Sequence, residues 1–231
     1  MTTHVALLGH PVSHSLSPRM QNAAFAAVGL DWHYEAFDVE DVVAAIADLR
    51  HRGFVGANVT IPHKQAAAAV CDEAEGDAVN TLVFQGDRLI GFNTDKEILA
   101  GVNATRACVI GAGGAALALT AALPVDTRVY TRGGLWPPDA TGCDLIVNAT
   151  PVRDILLVEP HAGQTVVDLA YAADAGETAL VQAARAAGCT VIDGREGLVR
   201  QGARSFELWT GIPAPIDVMR AAVAAASPPD A

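Results

Sequence analysis

Three scarcities narrow the class of this sequence. It has no apolar run long enough to span a bilayer, and no basic N-terminal segment leading into an apolar stretch with a cleavage site. It is poor in cations, with 15 Lys and Arg against 26 Asp and Glu, for a formal net charge of -11. A chain of that sign does not build the broad basic face that nucleic acid or an anionic membrane surface requires. A few placed Lys and Arg can still reverse the field locally for a small anion. Paired cysteines are also missing. Four cysteines occur, at 71, 108, 143 and 189, scattered and without a Cys-x-x-Cys pair. They read as small buried hydrophobes in a reduced compartment, so a cytoplasmic protein is expected.

What is present is core. Of the 231 residues, 51% are hydrophobic and only 18% charged, which excludes a disordered chain and suits one large domain or two small ones. The first half alternates strand-like and helix-like pieces. Strands are expected at 5–8, 32–37 and 55–61, and a hairpin over 79–84 and 88–92 across Gly86-Asp87. Helices are expected at 18–28, with Ser17 as N-cap and Gly29 as stop, at 39–52, and at 65–75. From residue 106 the alternation becomes strict: strands at 107–110, 127–130, 145–148, 165–169 and 190–192, with helices at 115–122 and 177–187. That pattern predicts a parallel sheet covered by helices. Helices at 198–209 and 216–225 close the chain, and the tail 227–231 is expected to fray.

Two groups of residues carry chemistry. The first is the glycine turn Gly111-Ala112-Gly113-Gly114-Ala115-Ala116, which fits G-x-G-x-x-A between a strand and a helix. Gly111 makes the tight turn, Gly113 leaves room for a pyrophosphate against the backbone, and Ala116 lets helix and sheet pack closely. The helix N-terminus then faces the phosphates with its N–H groups. At the end of the next strand, Tyr130-Thr131-Arg132-Gly133 holds no carboxylate for a ribose hydroxyl and places an arginine where a 2′-phosphate would sit, which favours NADP over NAD. The second group is a set of polar clusters after strands: Ser13-His14-Ser15-Leu16-Ser17, Asn58-Val59-Thr60-Ile61-Pro62-His63-Lys64 and Asn93-Thr94-Asp95. Taken alone, Lys64 also fits the start of a solvated helix, and Asp95 a helix cap. His10 and His14 share helical ligand spacing, but Pro11 lies between them and no further ligand completes a set, so no metal site is expected.

The clusters together resemble the shikimate dehydrogenase family. The matching stretches run in family order along nearly the whole chain: His14-Ser15-Leu16-Ser17-Pro18, Asn58 to Lys64, Ala78-Val79-Asn80-Thr81, Gly91 to Asp95, the glycine turn, Asn148-Ala149-Thr150-Pro151, Asp168-Leu169-Ala170-Tyr171, and Gln201-Gly202-Ala203 with Phe206-Glu207-Leu208-Trp209. The resemblance implies a catalytic pair, Lys64 and Asp95. It implies substrate contacts from Ser15, Ser17, Thr60, Asn80, Tyr171 and Gln201. It further implies a cofactor site from Gly111, Ala112, Gly113, Gly114, Ala115, Thr131, Arg132, Asn148 and Thr150.

The implied architecture is α/β with two domains. A substrate-binding domain would span 1–101, completed by C-terminal helices at about 204–231, and a Rossmann-like NADP-binding domain would span 104–200. The implied activity is NADP-dependent interconversion of 3-dehydroshikimate and shikimate, a step of aromatic amino acid biosynthesis, by a monomer or homodimer with no nucleic-acid or membrane partner. The alternatives are a paralogue acting on quinate, an aminoshikimate or another cyclitol acid, and a ligand-binding protein that keeps the fold with little turnover. The segments 95–111 and 132–143 are shorter than is usual in the family, and Arg153 stands where a glycine is usual. No helix is therefore expected between Gly133 and Pro138.

Overall fold

The computed structural model of the protein describes residues 1–123, 126–171 and 176–224, so the expectation for the tail at 227–231 lies outside the described residues. The chain divides into two compact units, Met1–Glu97 with Val199–Ala226, and Ile98–Leu198.

The first unit is built on six strands: β1 (Thr3–Gly9), β2 (Trp32–Asp38), β3 (Gly56–Val59), β4 (Glu73–Ala74), β5 (Thr81–Gln85) and β6 (Arg88–Phe92). Their order in the sheet is β2-β1-β3-β5-β6-β4. β1 runs parallel to both β2 and β3, and the β5–β6 hairpin is antiparallel. Side chains alternate across a strand, yet Val5, Ala6, Leu7 and Leu8 are all buried, because β1 is central and covered on both faces. On one face, Ala6, Leu8, Ala57 and Val59 pack with Val42, Ile46 and Leu49 of α2 (Val42–His51) and Ala67 of α3 (Lys64–Ala69). Phe25 of α1 (Ser17–Ala27) stacks on Phe206 at 5.3 Å between ring centroids, both fully buried. Burying each such ring contributes about 1.5–3 kcal/mol. The edge strand β2 is blunted by a side chain. The Asn22 amide accepts from the Tyr34 N–H and donates to the Tyr34 carbonyl, both at 2.8 Å, taking backbone groups that another strand would otherwise pair.

Three local expectations for this unit are corrected. Ser17 is the first residue of α1, not its N-cap: Leu16 holds that position, and the Ser17 N–H donates to the Ser15 hydroxyl at 3.2 Å. The second helix starts at Val42 rather than near 39, because the Asp41 carboxylate caps it by accepting from Val43 and Ala44 N–H, both at 3.0 Å. The third helix stops at Ala69, and Glu73–Ala74 is a strand beside β6. Asp72 drives that change: its N–H donates to the Leu89 carbonyl at 2.8 Å, and its carboxylate accepts the Leu89 N–H at 2.7 Å.

The second unit follows a 3-10 helix (Thr94–Leu99). Its strands are β7 (Arg106–Ile110), β8 (Asp126–Tyr130), β9 (Leu145–Asn148), β10 (Thr165–Asp168) and β11 (Thr190–Ile192). They form a wholly parallel sheet in the order β11-β10-β9-β7-β8. α4 (Gly114–Ala122) and α5 (Ala179–Ala186) flank it, and β9 is buried throughout. No helix lies between Gly133 and Pro138, as the short segment required. α6 (Gly194–Thr210) and α7 (Ile216–Ala224) end the chain. Among the described residues, no helix is long and apolar enough to cross a membrane.

Gly56 reports how closely α6 sits on the first sheet. A Cβ there would lie 2.4 Å from Trp209 Nε1 and 2.5 Å from the Leu82 carbonyl oxygen, where the indole donates to that same oxygen at 2.9 Å. Gly56→Ala should therefore destabilise the protein by about 1–3 kcal/mol, read as a lower urea midpoint at unchanged slope. An unchanged midpoint would contradict this packing.

Candidate active site

The β5–β6 hairpin assembles the centre of the site. Its register pairs Thr81 with Phe92, so Asn80, just before β5, faces the segment just after β6. The Asn80 side-chain oxygen accepts from the Thr94 N–H at 2.8 Å and the Thr94 hydroxyl at 3.1 Å. Its amide nitrogen donates to Asp95 Oδ1 at 2.7 Å. Asn93 fixes the approach, accepting the Asp95 N–H at 3.1 Å and donating to the Ala78 carbonyl at 2.9 Å. The Asp95 carboxylate is thus held by the hairpin before any cation reaches it.

Lys64 supplies that cation. It opens α3, one turn past β3, and its Nζ donates to Asp95 Oδ2 at 2.6 Å. The two side chains are 14% and 6% exposed, so the pair is largely out of water. Charges this buried depend on each other, since removing one strands the other. Gln201 of α6 completes the group, its side-chain oxygen accepting from Asn80 Nδ2 at 3.3 Å. Gln21 of α1 donates to the Gly202 carbonyl at 2.9 Å and so ties the helix that starts at Ser17 to the one that carries Gln201. Ser15, Ser17 and Thr60 follow the C-terminal ends of the neighbouring strands β1 and β3, where α/β sheets place their ligands.

Beneath this group is a polar network that sequence reasoning missed. The Asn58 amide donates to the Asn80 carbonyl, Thr81 Oγ1 and Ser205 Oγ, each at 3.0 Å, and accepts from the Tyr34 hydroxyl at 2.8 Å. Ser205 and Thr81 are fully buried and share a 2.8 Å hydrogen bond. Such a network specifies one arrangement because any other leaves a buried group unpaired. A separate cavity of about 360 Å³ lies behind Asn93 and Lys96 and is lined by Glu73, Glu75 and Arg204. Its charges are spent locally, with Lys96 paired to Glu75 and Arg204 to Glu207, so it offers no chemistry comparable to that of Lys64. Thiol chemistry has no footing either: burial pushes Cys71 up to about 11 and Cys108 up to about 12.

The other sequence-selected residues lie in the second unit. Gly111 has φ +112°, and a Cβ there would sit 3.0 Å from the Ala149 carbonyl oxygen, so only glycine fits the turn. Gly113 is the N-cap of α4, and a Cβ on it would meet nothing within 4 Å, which leaves open space over the helix N-terminus. Ala112, Gly114 and Ala115 complete the turn, and Ala116 is buried against the sheet. Thr131 and Arg132 emerge from β8 beside the glycine turn, where the Gly111 N–H donates to the Tyr130 carbonyl at 2.9 Å.

Asn148 and Thr150 form the floor below Gly111. The Asn148 oxygen accepts from the Thr150 hydroxyl at 2.7 Å and its N–H at 3.1 Å, and its amide nitrogen donates to Asp168 at 2.9 Å and to the Val152 carbonyl at 3.4 Å. That uses the whole amide, so Asn148 shapes the turn rather than reaching outward. Burial raises the pKa of Asp168, against the pull of the Thr178 hydroxyl, the Ala170 N–H and the Asn148 amide. Tyr171 also lies in the second unit, just past β10, its Cβ 3.0 Å from where a Cβ on Gly194 would be.

Comparison with known proteins shows the family of the chain. The shikimate dehydrogenase substrate-binding domain family matches residues 7–82, and the shikimate 5′-dehydrogenase C-terminal domain family matches residues 196–224. The chain is 38% identical over 280 residues to the shikimate dehydrogenase (NADP+) of Methanopyrus kandleri, covering 96% of this chain and 95% of that protein. The chain belongs to the shikimate dehydrogenase family. The resemblance read from its motifs is borne out. A second family member, from Moorella thermoacetica, is 39% identical over 268 residues, covering 93% of this chain and 90% of that one. The crystal structure of the Thermus thermophilus shikimate 5-dehydrogenase with NADP(H) and shikimate matches at a TM-score of 0.85 and 33% identity, over 97% of this chain and 100% of that one.

Asn80 links the hairpin to the buried pair, so its loss should be felt in stability as well as chemistry. Asn80→Ala leaves the Thr94 N–H without its acceptor, and such an orphaned buried group costs about 1–3 kcal/mol. Chemical denaturation should show a loss of that size, and a midpoint equal to wild type would contradict the assigned bonds.

Proposed function

We propose that this protein interconverts 3-dehydroshikimate and shikimate with NADP as cofactor, in the route to the aromatic amino acids. The observation that carries the reading is the largely buried Lys64–Asp95 pair, 2.6 Å apart, with Asn80 and Gln201 hydrogen-bonded into the same group. Reduction of a ring ketone puts negative charge on its oxygen, and that charge must be neutralised by a proton. The Lys64 ammonium suits both tasks, stabilising the developing alkoxide and donating the proton to it; in the reverse direction the neutral amine takes the proton from the alcohol. Asp95 holds the ammonium in place through one oxygen and leaves lone pairs for a ring hydroxyl. Ser15, Ser17, Thr60, Asn80 and Gln201 supply the directional hydrogen bonds that tell one polyhydroxy acid from another.

Two observations support a dinucleotide at the glycine turn: the open space at Gly113 over the N-terminus of α4, and a conformation at Gly111 that a side chain would block. NADP, when bound, supplies the hydride donor and acceptor. Gly111, Ala112, Gly113, Gly114 and Ala115 would hold its pyrophosphate through backbone N–H groups. Asn148 and Thr150 would keep that turn in shape, and Thr131 and Arg132 would meet the 2′-phosphate. The four free thiols support a reducing compartment, and we read the protein as cytoplasmic, working as a monomer or homodimer on a small molecule.

Lys64→Ala should lower turnover by about 10²–10⁴-fold while changing the shikimate KM far less, because its interaction strengthens in the transition state. Asp95→Asn should damage both constants. Steady-state kinetics of the two variants decides the matter, and near-normal turnover in Lys64→Ala would sink the assignment.

Cofactor choice is a separate test. A charge-assisted bond from Arg132 to a phosphate contributes about 1.5–3 kcal/mol, so initial rates at limiting cofactor should favour NADP over NAD by about tenfold or more. Equal or faster rates with NAD would contradict the role given to Arg132.

A further inference from the structure

The turn after β8 places an arginine on an aromatic ring. The Gly134 N–H donates to the Thr131 carbonyl at 3.0 Å, and the Thr131 N–H donates to the Leu135 carbonyl at 3.1 Å. A Cβ on Gly134 would sit 2.9 Å from Thr131 Oγ1, so a side chain there would crowd the closed turn. The chain therefore doubles back at once, and the Trp136 indole comes to lie against the Arg132 guanidinium, whose carbon is 5.9 Å from the ring centroid. Trp136 is 40% exposed and its neighbour Leu135 56%, so burial does not account for the indole at this place.

The charges around Arg132 add to this. Several arginines elsewhere are spent on carboxylates, as in Arg52–Asp48, Arg88–Glu73, Arg106–Asp126 and Arg185–Glu177, and Arg50 and Arg153 on backbone carbonyls. Among the described residues, no carboxylate pairs with Arg132, in a chain whose net charge is -11. The guanidinium is held by a quadrupole and left without an anion. It also stands beside the glycine turn, because β8 pairs with β7 so that Tyr130 faces Ile110.

We propose that Trp136 is a positioning residue for cofactor choice: its ring face fixes the Arg132 guanidinium where it meets the 2′-phosphate of NADP, replacing the support that a longer segment after β8 would give. The proposal rests on the NADP reading above. It assigns Trp136 an effect on the 2′-phosphate alone, exerted through Arg132. An indole stacked on the adenine would instead strengthen NADP and NAD equally.

Calorimetric titration of the full chain with NADP+ and with NAD+ separates these cases without relying on turnover. Trp136→Ala should weaken NADP+ by about three- to tenfold and leave NAD+ within about twofold. Trp136→Phe, which keeps a ring face, should restore most of the NADP+ affinity. Arg132→Ala should remove the NADP+ preference, and Trp136→Ala added to it should cost NADP+ nothing more. Equal weakening of both cofactors by Trp136→Ala, no weakening of either, or an additive double variant would overturn the proposal while leaving the NADP reading intact. Equal affinity of wild type for NADP+ and NAD+ would overturn the NADP reading and the proposal with it.

Discussion

The first unit depends on keeping a lysine ammonium and an aspartate carboxylate together with little water around them. At 14% and 6% exposure, Lys64 and Asp95 could not be held apart without stranding a charge. The surrounding structure is arranged to prevent that. The hairpin register sets Asn80 against the 93–95 segment, Asn80 holds Asp95, and Asn58 with Ser205 and Thr81 holds the backbone behind Asn80. Lys64 and Lys96 are the only lysines in the sequence, and Lys96 is committed to Glu75 on the far side of the same segment. On the proposed reading Lys64 is thus the cation that can give up a proton to the ring oxygen, while the remaining side-chain cations are arginines, which do not give up protons near neutral pH.

On the proposed NADP reading, the second unit meets a different problem, holding a polyanion with a chain that is itself strongly acidic. It uses groups that carry no formal charge: backbone N–H groups at the start of α4, a glycine whose absent side chain keeps the approach open, and a turn floor braced by Asn148. On the same reading Arg132, just past the end of β8, adds a full positive charge.

Much of this was legible in the sequence, and the limits were physical. The strands at 145–148 and 190–192 read out to the residue, because each is a short apolar run bounded by turn residues. The helix expected at 65–75 is longer than the observed one, because an Ala-rich run has high helix propensity and nothing in it announces that Asp72 pairs with Leu89. Ser17 has the composition of an N-cap, but Ser15 two residues earlier takes its N–H. The residues proposed for the catalytic group carry motif signals, as do the glycines. The network behind them does not, because Asn58 and Ser205 lie 147 residues apart and a lone serine in a helix carries no signal of its partner. Trp136 was visible as a residue but not as a neighbour of Arg132, since that contact exists only once the turn has closed.

The first unit by itself contains Lys64, Asp95, Asn80 and Gln201 bonded into one group, with Ser15, Ser17 and Thr60 past the C-terminal ends of β1 and β3. We read this arrangement as a ready-made site for a small polyhydroxy acid. Calorimetric titration of the protein with shikimate in the absence of any cofactor tests it most directly, with 1-cyclohexenecarboxylate, which keeps the carboxylate but lacks the ring hydroxyls, as the control. The account predicts saturable heat with shikimate and none with the control. No detectable heat with millimolar shikimate, or equal heat from both acids, would contradict it.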